Sequence, residues 1–206
     1  MSNQVHSRDH EILALMCACA NVRYGVDRDL RTYHNYSHAI VVMDAVQEIN
    51  PDAGLQLAIA ALYHDAVYIP GAGTDANERC SAAALAVDWA KCRFHKQHPV
   101  LSAAQTLILG TPVKNHLTAN RITTELGTLL DADLRSLATD RDEFLQNQAN
   151  IILENGGEVG IVTLGLCANF LHQFLTVRSH IYHTDYAREM WEDQARSNIE
   201  WLCAEY

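Results

Sequence analysis

Proline and glycine are scarce in this chain, at 4 and 10 of 206 residues. With a hydrophobic fraction of 49%, that scarcity excludes a disordered chain and points to a globular one. Basic residues are also short, 15 against 25 acidic ones, for a net charge of −10. General binding along nucleic-acid backbones draws its affinity from Lys and Arg, so this balance disfavours it. A small phosphorylated ligand stays open, because a bound divalent cation reverses the local field. No apolar run reaches the roughly 18 residues of a membrane span. The polar stretch Met1 to Glu11 lacks the apolar core of a signal peptide. No CxxC pair occurs, and Cys17, Cys19, Cys80, Cys92, Cys167 and Cys203 fall mostly in apolar helical stretches. They are read as buried reduced thiols rather than a disulfide framework or a zinc cluster. The expectation is a soluble, cytoplasmic protein with no membrane partner. P-loop, GxSxG and Rossmann fingerprints are all missing, so those mechanisms have no starting point.

What the chain has in abundance is Ala and Leu, both good helix formers, and no stretch alternates at period two over strand length. The reading is all-α, in one domain over 1–206, a length sufficient to bury a sizeable core. Helices are expected at about 9–22, 36–49, 53–66, 76–94, 98–110, 122–138, 141–154, 159–177 and 184–204. Asn50-Pro51 closes the second, and Asp75 or Thr74 caps the fourth. The third is apolar nearly all round and therefore central. Trp89, Trp191 and Trp201 lie on amphipathic helices and read as core or interface.

Against that apolar background three polar clusters are out of place. His34 and His38 are four apart, which puts them on one face if the turn is helical. His64-Asp65 lies near the end of the apolar third helix, where a buried carboxylate costs several kcal/mol unless paired or metal-bound. Asp131-Ala132-Asp133 repeats the anomaly after Leu129-Leu130. One metal explains all three. Imidazoles and carboxylates suit Mn, Fe, Co, Ni or Zn better than a purely oxygen-liking Mg, which is kept for a second ion. Two His and two Asp also leave positions for water and a phosphoryl oxygen.

The order His, His-Asp, distant Asp resembles the HD superfamily of metal-dependent phosphohydrolases. RTYHNYSHAIVVMDAV (31–46) is similar to the YHNxxHA signature of cyclic-nucleotide phosphodiesterases in the same clan. ALYHDAVYIPGAGTDANERCSA (61–82) resembles a small branch of predicted HD phosphohydrolases, with its Asn77-Glu78 and Ser81-Ala82; LILGTPVKNH (107–116) and LLDADLRSLA (129–138) fit later blocks. The resemblance covers about 31–137 and implies a compact multi-helix HD bundle with the C-terminal helices packed on it. It makes His38, His64, Asp65 and Asp133 the metal ligands, Asp133 rather than Asp131 because the family ligand is the Asp of an Ala-Asp. Asp131 would then orient a His ligand from behind. His34 matches the phosphodiesterase residue that protonates the leaving group. The HDxxE extension of other relatives is missing, Tyr68 standing where its Glu would be, and Glu78 is the candidate substitute. The glutamine pocket of true cyclic-nucleotide phosphodiesterases is not recognisable either. His116 is a candidate second-metal ligand or phosphate contact, and Arg31 and Lys114 are the candidate cations for a substrate phosphate. Arg178, His180, His183 and Arg188 form a later basic-leaning stretch able to reach over the cleft.

These residues imply hydrolysis of a phosphate ester or anhydride, with a nucleotide as substrate by analogy to the superfamily. His34 and Asp65 are the catalytic candidates, Asp65 bridging if two metals are present. The rival reading is a non-catalytic nucleotide-sensing HD module. A two-fold homodimer through terminal-helix faces follows only from the frequency of such dimers.

Overall fold

The computed structural model describes residues 2–73, 75–118 and 122–206, with side chains from residue 8 onward. Among them are ten α-helices and one 3-10 helix, and no strand. In order these are α1 (Ser2–Tyr24), α2 (Tyr36–Ile49), α3 (Leu55–Tyr63), α4 (Ala76–Lys91), α5 (Pro99–Ile108), α6 (Val113–Thr118), α7 (Thr124–Asp133), a 3-10 helix (Leu134–Ala138), α8 (Arg141–Glu154), α9 (Ile161–Thr176) and α10 (Asp185–Glu205). The fold is all-α. No helix among the described residues is long and apolar enough to cross a membrane.

α3 occupies the centre for the reason its sequence suggests. Every residue from Leu57 to Tyr63 is buried, and α1, α2, α4, α5 and α7 all pack against it. Fully burying an aliphatic side chain such as Leu57, Ile59 or Leu62 contributes about 1.5–3 kcal/mol. Trp89 (α4) is sealed in the same core, and Trp191 (α10) is buried in the second group of helices. There α10 packs on α9 and on the 3-10 helix, and α8 also contacts both. The His34 loop bridges the two groups. Thr32 Oγ1 donates to Asn150 O at 2.6 Å, and the Tyr33 hydroxyl pairs with Ser136 Oγ at 2.7 Å.

Several expectations are corrected. α1 runs further at both ends than 9–22. The stretch 122–138 is two elements, because the α-helix tightens into 3-10 geometry after Asp133. α6 was not foreseen; six residues are too few to show a period. The cysteines are free, but none is fully buried, and Cys80 is exposed. Cys19 Sγ and Cys92 Sγ lie 3.6 Å apart between α1 and the end of α4. Asp75 precedes α4 in the left-handed region, φ 62°, and makes no side-chain cap; Thr74 lies outside the described residues.

Candidate metal centre

Four contributions build the site, and three of them deliver the ligands. The first is the start of α2, where Asn35 is the N-cap. Its Oδ1 accepts from the His38 N–H at 3.1 Å, and its Nδ2 donates to Arg31 O and Thr32 O. His38 therefore sits in the first turn, held by the cap. His34 lies before the helix, so a capped loop and not a shared helical face brings the two imidazoles to 5.7 Å between ring centres.

The second is the end of α3. The helix stops at Tyr63, and the Ala66 N–H closes a turn on Tyr63 O at 3.0 Å. Arg31 clamps that turn. Its guanidinium donates to Asp65 O (3.0 Å), Ala66 O (3.3 Å) and His34 O (3.2 Å), tying the two histidine loops together. From α4, Asn77 Oδ1 accepts from Ile69 N and its Nδ2 donates to Ile69 O, and Ser81 Oγ accepts from Val67 N and donates to Val67 O. The Asn77 and Ser81 of the recognised block thus secure the loop that follows His64-Asp65.

The last turn of α7 supplies the third. Asp131 and Asp133, two apart, point to opposite sides. Asp131 is fully buried and accepts from His183 N, Thr184 N and Thr184 Oγ1, each at 2.7 Å. It anchors the start of α10 and orients no histidine ring of the cluster, which corrects the role expected for it. Burial lifts its carboxyl to about 6 against these three donors and Arg178. Asp133 faces the histidines instead.

His38, His64, Asp65 and Asp133 form a group in which one donor atom of each lies within 4.8 Å of the others. His64 Nε2 is 2.9 Å from Asp65 Oδ2, 3.3 Å from Asp133 Oδ1 and 3.3 Å from His38 Nε2. His38 Nε2 is 3.3 Å from Asp133 Oδ1 and 3.8 Å from Asp65 Oδ2. Neighbouring ligand atoms about 2.0–2.2 Å from one ion stand roughly 2.8–3.6 Å apart and opposed ones farther, so these spacings are compatible with a shared cation. The tautomer fits as well. His64 Nδ1 donates to Ala61 O at 2.7 Å, a carbonyl that can only accept, which leaves Nε2 facing the carboxylates. The cluster can hold a metal ion.

Its electrostatics are those of a site that attracts positive charge. Burial disfavours the charged His64, yet Asp65 and Asp133 outweigh it and hold the imidazole well above its ordinary value. Burial likewise opposes ionisation of Asp65 and Asp133, and the His64 charge overcomes it, holding both carboxyls down. His38, equally buried, is lowered.

The fourth contribution comes from residues around the cluster. His34 Nε2 stands 3.9 Å from Asp65 Oδ2. Its Nδ1 pairs with Glu154 Oε2, and its backbone N–H donates to both Glu154 oxygens. Tyr68 stacks on the ring, 3.9 Å between centres and 18° between planes. Burial lowers the His34 pKa, but Asp65 and Glu154 reverse it, and the net shift is upward. Glu154 was not singled out from sequence, where the last residue of α8 carries no motif. Its signal is one of burial, a carboxylate 7% exposed at a helix end.

His116, on α6, places Nε2 3.4 Å from Asp133 Oδ2, and it is 3% exposed. Its Nδ1 is sealed with no hydrogen-bond partner among the described residues. The other candidates lie differently. Arg31, 7% exposed, spends its guanidinium on the carbonyls above. Lys114 pairs with Asp75 at 3.0 Å. Glu78 sits half-buried in the first turn of α4, with no ion pair among the described residues. Arg178 donates to His116 O and lies against the His183 ring, 2.8 Å from its Nε2, so this pair backs the site rather than covering it.

Two cavities adjoin the cluster. A groove of about 480 Å³ touches it through His38 and is bordered by Asp44, Glu48 and Glu143, a poor setting for a phosphate despite Arg135. A smaller cavity of about 170 Å³ is lined by His34, His116 and Asp133 on one side and by apolar residues of the 3-10 helix, α8 and α9 on the other. Comparison with family models, with curated proteins and with solved structures finds no match for this chain.

Proposed function

We propose that this protein is a metal-dependent phosphohydrolase of the HD type that cleaves a phosphate ester or anhydride, with a nucleotide as the substrate. The observation that carries the proposal is the convergence of His38, His64, Asp65 and Asp133, within 4.8 Å of one another, beside an imidazole that is itself held by a buried carboxylate. A divalent transition metal in that cluster supplies Lewis acidity towards a phosphoryl oxygen and lowers the pKa of a water at the site.

The chain's own residues do the rest. Asp65 and Asp133 keep two negative charges at a point buried enough to be felt strongly. The Ala61 carbonyl fixes the His64 tautomer, and the Asn35 cap fixes His38. Glu154 and Tyr68 lock His34 so that Nε2 faces the cluster, where it can deliver a proton to the departing oxygen. The Glu154 carboxylate on Nδ1 favours the protonated imidazole that this role requires.

The test is chromatography of a nucleotide panel (ribo and deoxy, mono- to triphosphate, cyclic) incubated with Mn-loaded protein, with the His64→Ala, Asp65→Ala double variant as control. Product that depends on metal and is lost in the control supports the reading and identifies the bond broken. Tight metal binding with no turnover of any nucleotide overturns it in favour of a sensing module.

A further inference from the structure

Cys19 and Cys92, 73 positions apart, meet across the seam of α1 and α4 with their Sγ atoms 3.6 Å from each other. Neither backbone is free to drift. Cys19 lies inside α1, and Cys92 caps the end of α4. Arg93 follows in the left-handed region at φ 60°, its N–H returning to Ala90 O and that of Phe94 to Trp89 O. This double closure is the ending that glycine usually gives a helix, and it fixes where Cys92 stands.

One turn along the same faces, Arg23 and Asp88 set the register of the two helices. Arg23 donates to both Asp88 oxygens, at 2.9 and 2.7 Å, and the Tyr63 hydroxyl donates to Asp88 Oδ2 at 3.2 Å. Asp88 is 3% exposed, so the pairing is sheltered from water. The sulfur contact thus follows from a fixed interface. Both thiols are also partly exposed, which gives a reagent access that a sealed core cysteine lacks. An S–S bond of about 2.05 Å needs roughly 1.5 Å of further approach, within reach of side-chain rotation.

We propose that Cys19 and Cys92 are a reversible redox pair, oxidised by a low-molecular-weight disulfide such as glutathione disulfide to a bond that staples α1 to α4. The pairing is independent of the activity proposed above. One thiolate of the pair attacks a sulfur of glutathione disulfide, forming a mixed disulfide and releasing the first glutathione. The other then attacks the protein sulfur of that mixed disulfide, which forms the Cys19–Cys92 bond and expels the second glutathione. The protein gives up two electrons and two protons, and one glutathione disulfide becomes two glutathiones. Burial, together with the Cys19 sulfur and the Asp88 charge, pushes the Cys92 thiol up to about 11. Exchange is therefore slow at neutral pH and answers sustained oxidation. A link between residues 73 apart removes entropy from the unfolded chain, so the oxidised form is the more stable one. Tyr63, which shares Asp88 with the seam, directly precedes His64, so the staple braces the helix end beside the cluster.

The experiment incubates the full chain with glutathione disulfide under argon, for wild type, Cys19→Ser and Cys92→Ser. Free thiols are then alkylated, peptides are mapped by mass without reduction, and melting is followed before and after dithiothreitol. Wild type should yield a peptide linked through Cys19 and Cys92, and its Tm should rise by roughly 5–10 °C, reversed by dithiothreitol. In each variant the remaining cysteine of the pair should carry a glutathione adduct, with no rise in Tm. Exposed Cys80 reports that the reagent is active. The inference is overturned if Cys19 and Cys92 stay alkylatable while Cys80 is modified, or if wild type carries glutathione on them without a link. A link that lowers Tm also overturns it, since the bond would then strain the seam. The wild-type map decides by itself if a variant folds poorly.

Discussion

Glu154 and His34, 120 residues apart in the chain, are joined by the Glu154 carboxylate, which engages both the backbone N–H and the ring Nδ1 of His34. The end of α8 therefore determines which ring nitrogen looks at the metal cluster and where the His34 loop lies. Removing the charge but keeping the shape separates these two effects from metal binding.

His34→Ala is expected to retain metal and lose about 10²–10⁴ in turnover, the usual worth of a positioned proton donor. Glu154→Gln should also retain metal and lose a smaller part of kcat, with KM changed little. Metal content by elemental analysis and steady-state kinetics check both. Loss of metal from either variant would remove His34 from the role of acid.

Asp131 and Asp133 should separate cleanly. Asp133→Ala is expected to abolish tight metal binding with a modest effect on folding. Asp131→Ala leaves three buried donors of His183 and Thr184 without an acceptor, at a cost of about 3 kcal/mol or more. For a chain of this size that lowers Tm by roughly 6–12 °C. Calorimetric metal titration and thermal melting of the two variants decide the matter; the reverse pattern would make Asp131 the ligand.

Metal binding should stabilise the fold, because the folded chain gathers the four ligands and the unfolded chain does not. At a free metal concentration one hundred times Kd the gain is about 2.7 kcal/mol. That corresponds to a rise of roughly 5–10 °C in Tm, reversed by a chelator. The His64→Ala, Asp65→Ala double variant should show no such rise.

Arg31 distinguishes a clamp from a substrate contact. Its guanidinium holds the carbonyls of His34, Asp65 and Ala66, and lies over the Tyr24 ring. Arg31→Ala is expected to lower Tm and weaken metal binding together, since both loops lose their tie. A variant with a raised KM and an unchanged Tm would return Arg31 to the substrate.

His183 should make the protein sensitive to acid. Burial, Arg178 against its ring, and the nearby His116 and Arg188 push its pKa down to about 3. In the unfolded chain it titrates at roughly 6.5. Between these values the unfolded state holds a proton that the folded state lacks, so the stability drawn from His183 falls as pH drops from about 6.5 towards 3. Above that window it has no pH effect. His183→Gln should flatten the pH dependence of the urea midpoint in this range; curves parallel to wild type would refute the shift.

The sequence alone determined the all-helical class and most of the helices, and it marked the polar groups of the cluster as out of place, because these are written in local signals. α2 and α8 span the expected 36–49 and 141–154, and α3 is central because it is apolar nearly all round. His64-Asp65 and Asp131-Ala132-Asp133 stood out because a carboxylate in an apolar run needs a partner, and the HD resemblance pointed to Asp133. The tertiary structure decided what each polar residue does. Arg31 and Lys114 are both cations near motif residues in the sequence, and only packing turns one into a buried clamp and leaves the other on the surface with Asp75. Asp131 and Asp133 are both acids of one short motif, and the direction of each side chain at the end of α7 sends one to the start of α10 and the other to the histidines. Glu154 has no sequence signature at all. Its meaning comes from burial against His34, 120 positions away, a contact that does not exist until the chain has folded.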